Sequence, residues 1–90
     1  MPYSLRRYRK VRDQIRQTPT RIRDDIKAII SDLANDPRPS TAEPLRDQFA
    51  GILKIKADGW RIFYRVNEQD RIVIVIAVKR RTRDTYKSIP

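Results

Sequence analysis

The sequence contains no cysteine and no histidine. Without cysteine, the chain has neither a disulfide nor a cysteine-ligated zinc site to support its fold. Without histidine, it lacks the commonest metal ligand and the usual general acid or base near neutral pH. We therefore expect no metal and no cofactor, and an enzyme built on this chain has to use other side chains.

Long apolar runs are missing as well. No stretch approaches the roughly 20 apolar residues that span a bilayer. The first residues, MPYSLRRYRK, have no apolar segment of the kind found in a signal peptide. The absence of cysteine also fits a reducing compartment. These features predict a cytoplasmic protein with no membrane partner.

The 90 residues suffice for one domain, spanning residues 1–90, with one modest core. The net charge of +10 is concentrated at the two ends of the chain. Residues 1–18 carry six basic and one acidic residue, residues 19–53 five basic and six acidic, and residues 54–90 ten basic and four acidic. This distribution fits a polyanionic partner: nucleic acid, the ribosome, an acidic protein or a membrane surface. A merely solubilising cationic surface is the simpler interpretation.

A short strand and two helices are predicted in the first third of the chain. PYSLRRY suits the strand, and the residues after it become helical because apolar side chains recur on one face. Thr18-Pro19 then begins a second helix, with threonine as its cap and proline in its first turn. This helix is expected over residues 19–34 and ends before Pro37. The two apolar stripes are Leu5, Tyr8, Val11 and Ile15, and then Ile22, Ile26, Ile29, Ile30 and Leu33.

Residues 36–44, DPRPSTAEP, are predicted to form an exposed connector because they hold three prolines and little apolar surface. Three strands follow, at about residues 52–57, 60–66 and 71–79. Asp58-Gly59 is a tight-hairpin signal between the first two. The last strand, RIVIVIAVK, is apolar on both faces, as expected for a central strand. The predicted fold is α+β: a short N-terminal strand, two helices and a three-stranded antiparallel meander.

Lysines and arginines alternate with apolar residues in the first two meander strands. Because successive side chains point to opposite faces of a strand, one face is expected to present Lys54, Lys56, Arg61 and Arg65. The segment KRRTRDTYK adds further cations and a tyrosine: Lys79, Arg80, Arg81, Arg83 and Tyr86. Like charges on neighbouring strands are destabilising, so such a cluster without carboxylate partners favours a bound anion. The alternative is a solvated sheet face that resists edge pairing.

Phe63 lies among these cations on the same strand face. An exposed aromatic ring in such a place can stack on a nucleic-acid base, and this is the functional interpretation of Phe63. Alternatively, the ring packs under the C-terminal segment.

The ordered set of these motifs resembles the RelE/ParE superfamily of bacterial toxin–antitoxin toxins. LKIKADGWRIFYRV followed by IVIVIAVKRRTRDTY is similar to the C-terminal half of that superfamily. The shared pattern is a basic strand, a turn, an aromatic-Arg-aliphatic-x-Tyr strand, an aliphatic strand, and Lys-Arg with a tyrosine six residues beyond the arginine. The upstream strand and helices also fit, so the resemblance spans nearly the whole chain. It implies the RelE-like fold of the microbial ribonuclease type.

RelE-like members are ribosome-dependent endoribonucleases that cut mRNA in the decoding site, and the resemblance implies this activity here. The implied catalytic residues are Lys54, Lys56, Arg61, Arg80 and Tyr86, and the implied RNA-binding residues are Phe63, Arg65, Lys79, Arg81 and Arg83. By the same resemblance, Lys56 removes the proton from the attacking 2′-hydroxyl, while Lys54 and Arg61 stabilise charge. Arg80 assists the phosphate and the leaving group, and Tyr86 stacks on or orients the target base.

The implied partners are a cognate antitoxin, in a toxin–antitoxin hetero-oligomer, and mRNA on the 70S ribosome. Two alternatives share the charge pattern: a ParE-like inhibitor of DNA gyrase with the same fold, and a non-catalytic nucleic-acid or ribosome-binding module. The nuclease requires Lys56, Arg61, Arg80 and Tyr86 to meet around one phosphate. The interval between the Lys-x-Lys pair and Arg61 is shorter than in RelE itself, which a tighter hairpin would explain.

Overall fold

One mixed sheet and two helices make up the structure, a computed structural model that describes residues 2–81. The α+β class predicted from the sequence is confirmed. No helix in this part of the chain is long and apolar enough to cross a membrane. A single 3-10 turn spans Asp47–Phe49. The strands are β1 (Ser4–Arg7), β2 (Glu43–Pro44), β3 (Leu53–Ala57), β4 (Trp60–Asn67) and β5 (Ile72–Arg80), and the helices are α1 (Arg9–Arg16) and α2 (Thr20–Asp32).

The strands are ordered β1-β5-β4-β3-β2 across the sheet. β3, β4 and β5 form the predicted antiparallel meander, and Asp58-Gly59 makes the turn between β3 and β4 with positive φ at both residues. β1 pairs with β5 in parallel. The sequence pattern did not reveal this pairing because contacts between distant segments leave no local periodicity. β5 therefore lies between β1 and β4, in the position that its apolar sequence predicts.

Both helices bury one apolar side against the same face of the sheet. Val11 and Ile15 of α1 and Ile22 and Ile26 of α2 are buried there, followed by Leu33 beyond the end of α2. Burial of each such side chain contributes about 1.5–3 kcal/mol. The strands complete this main core with Ile55, Ala57, Ile62, Tyr64, Val73, Val75 and Val78.

The junction between the helices differs from the prediction at Thr18 and Pro19. The Thr18 hydroxyl donates a 2.6 Å hydrogen bond to the Ile15 carbonyl, so it closes α1 and does not cap α2. Pro19 takes the cap position of α2, with no side-chain hydrogen bond. The Arg23 guanidinium donates to the carbonyls of Arg16, at 2.7 Å, and Thr18, at 3.0 Å. It thereby satisfies carbonyl groups at the end of α1.

A second, smaller core lies on the opposite face of the sheet. Ile52, Phe63, Ile76 and Ala77 are buried there, and Leu45 and Phe49 pack against them. A bulge between β4 and β5 leaves Ile76 without a partner in the strand register, because Phe63 pairs with Ala77 and Tyr64 with Val75. The segment predicted as an exposed connector thus ends in β2, which pairs with β3, and in a 3-10 turn that covers part of this face.

Tyr64 ties the main core to the proline-rich connector. Its ring is fully buried, and its hydroxyl donates a 2.8 Å hydrogen bond to the Pro37 carbonyl. Burial raises the pKa of the Tyr64 phenol to about 12, with the Arg38 charge opposing the rise and the Asp36 charge adding to it. The neutral phenol is therefore the form that the folded chain stabilises.

Replacing Tyr64 with phenylalanine removes this hydrogen bond and is expected to lower the free energy of unfolding by about 1 kcal/mol at neutral pH. The pKa of Tyr64 in the folded chain lies above the ordinary value of 10.0. Its contribution to the free energy of unfolding is therefore complete below pH 10 and is lost as the pH rises to about 12. Urea unfolding across this range measures the advantage of the wild type over Tyr64→Phe, which should shrink. Tyr8→Phe, at an exposed tyrosine, is the control. An advantage that grows with pH would contradict the prediction.

Candidate functional site

Three cations from three adjacent strands lie side by side on the sheet. Lys56 of β3 pairs with Arg61 of β4, and Arg61 pairs with Lys79 of β5. Directly opposed residues project from the same face of a sheet. Lys54 lies two residues before Lys56 and so shares its face. We call these four residues, Lys54, Lys56, Arg61 and Lys79, the basic face.

Arg61 is the centre of the basic face. It is only 8% exposed, and its guanidinium donates a 2.9 Å hydrogen bond to the Trp60 carbonyl. No carboxylate within residues 2–81 forms an ion pair with it, and its neighbours in the row, Lys56 and Lys79, are also cations. Burying a charge without an opposite charge is unfavourable. An anion bound from outside the chain would therefore stabilise this arrangement.

Glu43 of β2 places one carboxylate at the border of the basic face, which corrects the expectation that its cations have no acidic partner. Its Oε2 atom lies 3.8 Å from Lys54 Nζ and its Oε1 atom 3.5 Å from Lys56 Nζ. Glu43 and Lys54 are directly opposed in the pairing of β2 with β3. Sequence patterns held no signal for Glu43, because a two-residue strand is too short to show alternation.

The ion pairs with Glu43 bear on the role that the resemblance gives to Lys56. A lysine enters such a pair as the ammonium, and an ammonium has no lone pair with which to accept a proton. In this geometry, Lys54 and Lys56 are therefore suited to binding an anion. Acting as a base requires Lys56 to lose a proton first. In the described part of the chain, no group of three or more carboxylates is arranged to hold a metal ion.

Lys10 of α1 adds a cation near Lys79 that the sequence patterns did not single out. Partial burial lowers the pKa of the Lys10 ammonium, and the positive charge of Lys79 lowers it further. The Gln14 side chain of α1 accepts a 2.8 Å hydrogen bond from the Val78 N–H of β5, so α1 borders this end of the row, while Glu43 borders the other. The available signal was the excess of positive charge in residues 1–18, which did not identify a particular residue.

Phe63 is not the exposed aromatic residue that the functional interpretation required. Phe63 is fully buried in the second core with Ile52, Ile76 and Ala77. Leu45 and Phe49 pack against the same cluster, because the chain after β2 folds over this face. Phe63 therefore has no free ring face for stacking on a base, and we remove it from the candidate RNA-binding residues.

The remaining predicted cations do not all join the basic face. Arg65 is exposed on the same face of β4 as Arg61. It lies four residues further along the strand, beyond Phe63, so the Cα atoms of the two arginines are about 13 Å apart. Arg80 is directly opposed to Trp60, which packs against the main core under the helices. Regular alternation therefore puts Arg80 on the face opposite Lys79, contrary to the prediction.

The end of β5 carries the chain past the hairpin between β3 and β4. Arg81 is exposed, and its backbone N–H donates a 2.8 Å hydrogen bond to the Gly59 carbonyl. Arg83 and Tyr86 lie outside the described residues, so their predicted roles stay predictions. Of the five predicted catalytic residues, Lys54, Lys56 and Arg61 are brought together by the sheet.

Comparison with known proteins gives consistent relatives. A family model described as the ParE toxin of the type II toxin–antitoxin system parDE matches residues 2–85. Toxin RelG of Mycobacterium tuberculosis is 28% identical over 91 residues, which cover 97% of this chain and 99% of that protein.

Solved structures of toxin–antitoxin complexes share the fold. A chain of the RelBE2 complex from Mycobacterium tuberculosis superposes with a TM-score of 0.79 at 26% identity, over 90% of this chain and all (100%) of that chain. A chain of the intact E. coli RelBE complex gives a TM-score of 0.76 at 25% identity, over 90% of this chain and 99% of that one.

The Glu43 ion pairs lead to a direct prediction. Glu43→Gln removes the carboxylate that competes with an external anion, so affinity for single-stranded RNA is expected to rise by about fivefold. Fluorescence anisotropy with an RNA carrying 2′-O-methyl riboses, which cannot be cut by 2′-oxygen attack, measures the dissociation constant.

Glu68→Gln makes the same change of charge at Glu68, whose partners are Arg38 and Tyr3, and serves as the control. Equal effects of the two substitutions on RNA affinity would show that the affinity depends only on the net charge of the chain. Weaker RNA binding by Glu43→Gln would mean that Glu43 orders the lysines and does not compete for them.

Proposed function

The chain belongs to the RelE/ParE superfamily of toxins from type II toxin–antitoxin systems, and we propose that it is a ribosome-dependent mRNA endoribonuclease of the RelE-like kind. One observation carries this proposal: Lys56, Arg61 and Lys79 form a continuous row of cations across three strands, with Lys54 beside it. Such a row offers several charge-assisted hydrogen bonds to one phosphate and its neighbours along a strand of RNA. The 28% identity to toxin RelG agrees with this choice within the superfamily.

The proposed reaction is attack of a ribose 2′-oxygen on the adjacent phosphorus. The 2′-hydroxyl loses its proton to a base, the new P–O2′ bond forms, and the P–O5′ bond breaks as the 5′-oxygen takes up a proton. The products are a 2′,3′-cyclic phosphate and a 5′-hydroxyl. Negative charge grows on the phosphate oxygens in the transition state, and the guanidinium of Arg61 with the ammonium of Lys54 stabilises it. No metal takes part in this scheme.

The remaining roles come from the resemblance. Lys56 serves as the base in its neutral amine form, after bound RNA has separated it from Glu43 and its own proton has passed to solvent. Arg80 assists the leaving group, which requires its side chain to reach around the end of β5. Tyr86 stacks on the base next to the cut and holds it in line. Positioning of this kind is a large part of the catalysis available to a site without histidine or metal.

We also propose that a cognate antitoxin neutralises the toxin in a hetero-oligomer. The RelBE2 and E. coli RelBE structures are toxin–antitoxin complexes, which supports a partner of this type. With a net charge of +10, the chain favours an acidic partner segment. Such a segment laid over the basic face would compete with RNA for the same cations.

Inhibition of DNA gyrase is the second candidate function. Two observations favour it: the matching family model is that of ParE toxins, and the strand pairing places Arg80 away from the basic face. A gyrase inhibitor needs a complementary surface and no reactive cluster. A non-catalytic ribosome-binding module is the third candidate.

Induction of the toxin in cells, followed by mapping of mRNA 5′ ends, separates these functions. The nuclease predicts new in-frame 5′ ends confined to translated messages. DNA breaks with an SOS response and intact messages would reject the nuclease and support inhibition of gyrase. Arrested translation with neither kind of break would leave the binding module.

Lys56→Ala is expected to reduce mRNA cleavage by about a hundredfold, because it removes the proposed base without disturbing a buried group. The Lys56 side chain is 57% exposed, so the fold should persist, as circular dichroism can verify. Lys27→Ala, on α2, is the matched control.

Arg80→Ala and Tyr86→Ala test the two roles taken from the resemblance. Full toxicity in both would remove these residues from the site.

A further inference from the structure

A second cluster of cations lies apart from the basic face, at the junction of β1 and α1. Arg7 ends β1, and Arg9, Arg12 and Arg16 follow at steps of three and four residues along α1, which puts them on one flank of the helix. Together with Asp13 these residues line a cleft of about 330 Å³. We call it the arginine cleft.

The arginine cleft is poorly neutralised within the chain. Arg16 has an ion pair with Asp13 at 3.9 Å, and both side chains are largely exposed, 69% and 71%, so the pair is weak. Arg7, Arg9 and Arg12 have no side-chain hydrogen-bond or ion-pair partner in the part of the chain that the structure describes. Like charges three or four residues apart destabilise a helix. The sequence thus maintains an arrangement that costs stability unless an anion binds.

The arginine cleft and the basic face lie on different flanks of α1. Val11 and Ile15 bury the side of the helix that faces the sheet. Gln14, whose side-chain oxygen accepts a 2.8 Å hydrogen bond from the Val78 N–H of β5, lies with Lys10 on one side of this buried stripe at about 100° per residue, and Arg12 lies on the other. An anion in the arginine cleft is therefore not the phosphate held by Arg61.

We propose that the arginine cleft is a second RNA-binding site, which takes backbone phosphates of an RNA segment other than the strand that is cut. This inference rests on the proposed RNA target of the toxin. Guanidinium groups match phosphate oxygens in bidentate geometry, and the exposed arginines of the cleft can each engage a phosphate. With cations on two flanks, the domain contacts RNA on two sides, and the cleft sets its orientation relative to the strand in the basic face.

The lining of the cleft favours RNA over an acidic protein segment. All five side chains that line it are charged, so its surface is mainly polar and its small apolar part comes from the stems of these side chains. Protein partners gain much of their affinity from apolar and aromatic contacts at the centre of the interface. A larger groove of about 870 Å³, between β1 and the two helices, shares Arg7, Arg12 and Arg16 with the cleft and has an apolar floor that includes Leu5, Val11 and Ile15. A protein segment is better matched to that groove.

Equilibrium binding to an RNA hairpin with 2′-O-methyl riboses tests the proposal. The double variant Arg9→Ala/Arg12→Ala is expected to weaken binding by about tenfold near physiological salt. The slope of the logarithm of affinity against the logarithm of salt concentration should fall by about one for each phosphate that the variant no longer binds. The single variant Arg12→Ala is compared with Arg21→Ala, which removes one exposed arginine from α2; the Arg21 side chain is 82% exposed, and its ion pair with Asp58 at 3.4 Å is a surface pair of little energetic weight.

Three results would overturn the proposal. The first is an unchanged affinity and salt slope in the double variant. The second is an equal loss of affinity in Arg12→Ala and Arg21→Ala, which would reduce the effect to net charge. The third is unchanged RNA binding with weakened binding of poly-glutamate, which would make the cleft a site for acidic protein. Because the hairpin cannot be cut, these measurements decide the role of the cleft even if mapping of mRNA 5′ ends rejects the nuclease.

Discussion

Burial of β5 on both faces is the constraint on which the rest of the structure depends. Val73, Val75 and Val78 enter the core under the helices, while Ile76 and Ala77 enter the smaller core on the other side. A strand fixed on two faces cannot slip by one residue, because a slip would exchange every inward side chain. The same register aligns Lys79 with Arg61, and Arg61 with Lys56. Apolar packing thus holds in place a row of charges that repel one another.

The charge distribution shows two ways in which the chain accommodates this repulsion. Glu43 is supplied from a two-residue strand and pairs with both lysines at the border of the basic face. Arg61 has a backbone carbonyl as its hydrogen-bond partner and no carboxylate within residues 2–81. The sheet thus presents a charged row that is neutralised at one end and has no carboxylate partner from residues 2–81 at its centre. An anion bound to this row would relieve repulsion that is present in the unbound protein.

Local sequence patterns predicted the helices and most of the strands well. The features that they missed depend on contacts between distant segments of the chain. The isoleucine spacing predicted α2, Asp58-Gly59 the hairpin, and the apolar run the central strand. Phe63 was misjudged because its cover comes from Leu45 and Phe49, two residues in a segment with no periodic pattern. Arg80 was misplaced because it was grouped with Lys79 as part of one run of basic residues. In a regular strand, successive side chains point to opposite faces, so Arg80 and Lys79 lie on different sides of the sheet. Glu43 and the parallel β1–β5 pair arise from tertiary pairing alone.

The parallel pairing of β1 with β5 also constrains when the protein can fold during synthesis. β5 is the last strand of the sheet to be translated, yet it is the partner of both β1 and β4. Until it emerges from the exit tunnel, the nascent chain has a β1 with no neighbour and two helices with only part of the surface that buries them. The sheet closes late, and the row that ends at Lys79 is assembled in the same step. A ribosome that makes this protein has therefore translated all five strands before the charged surface exists.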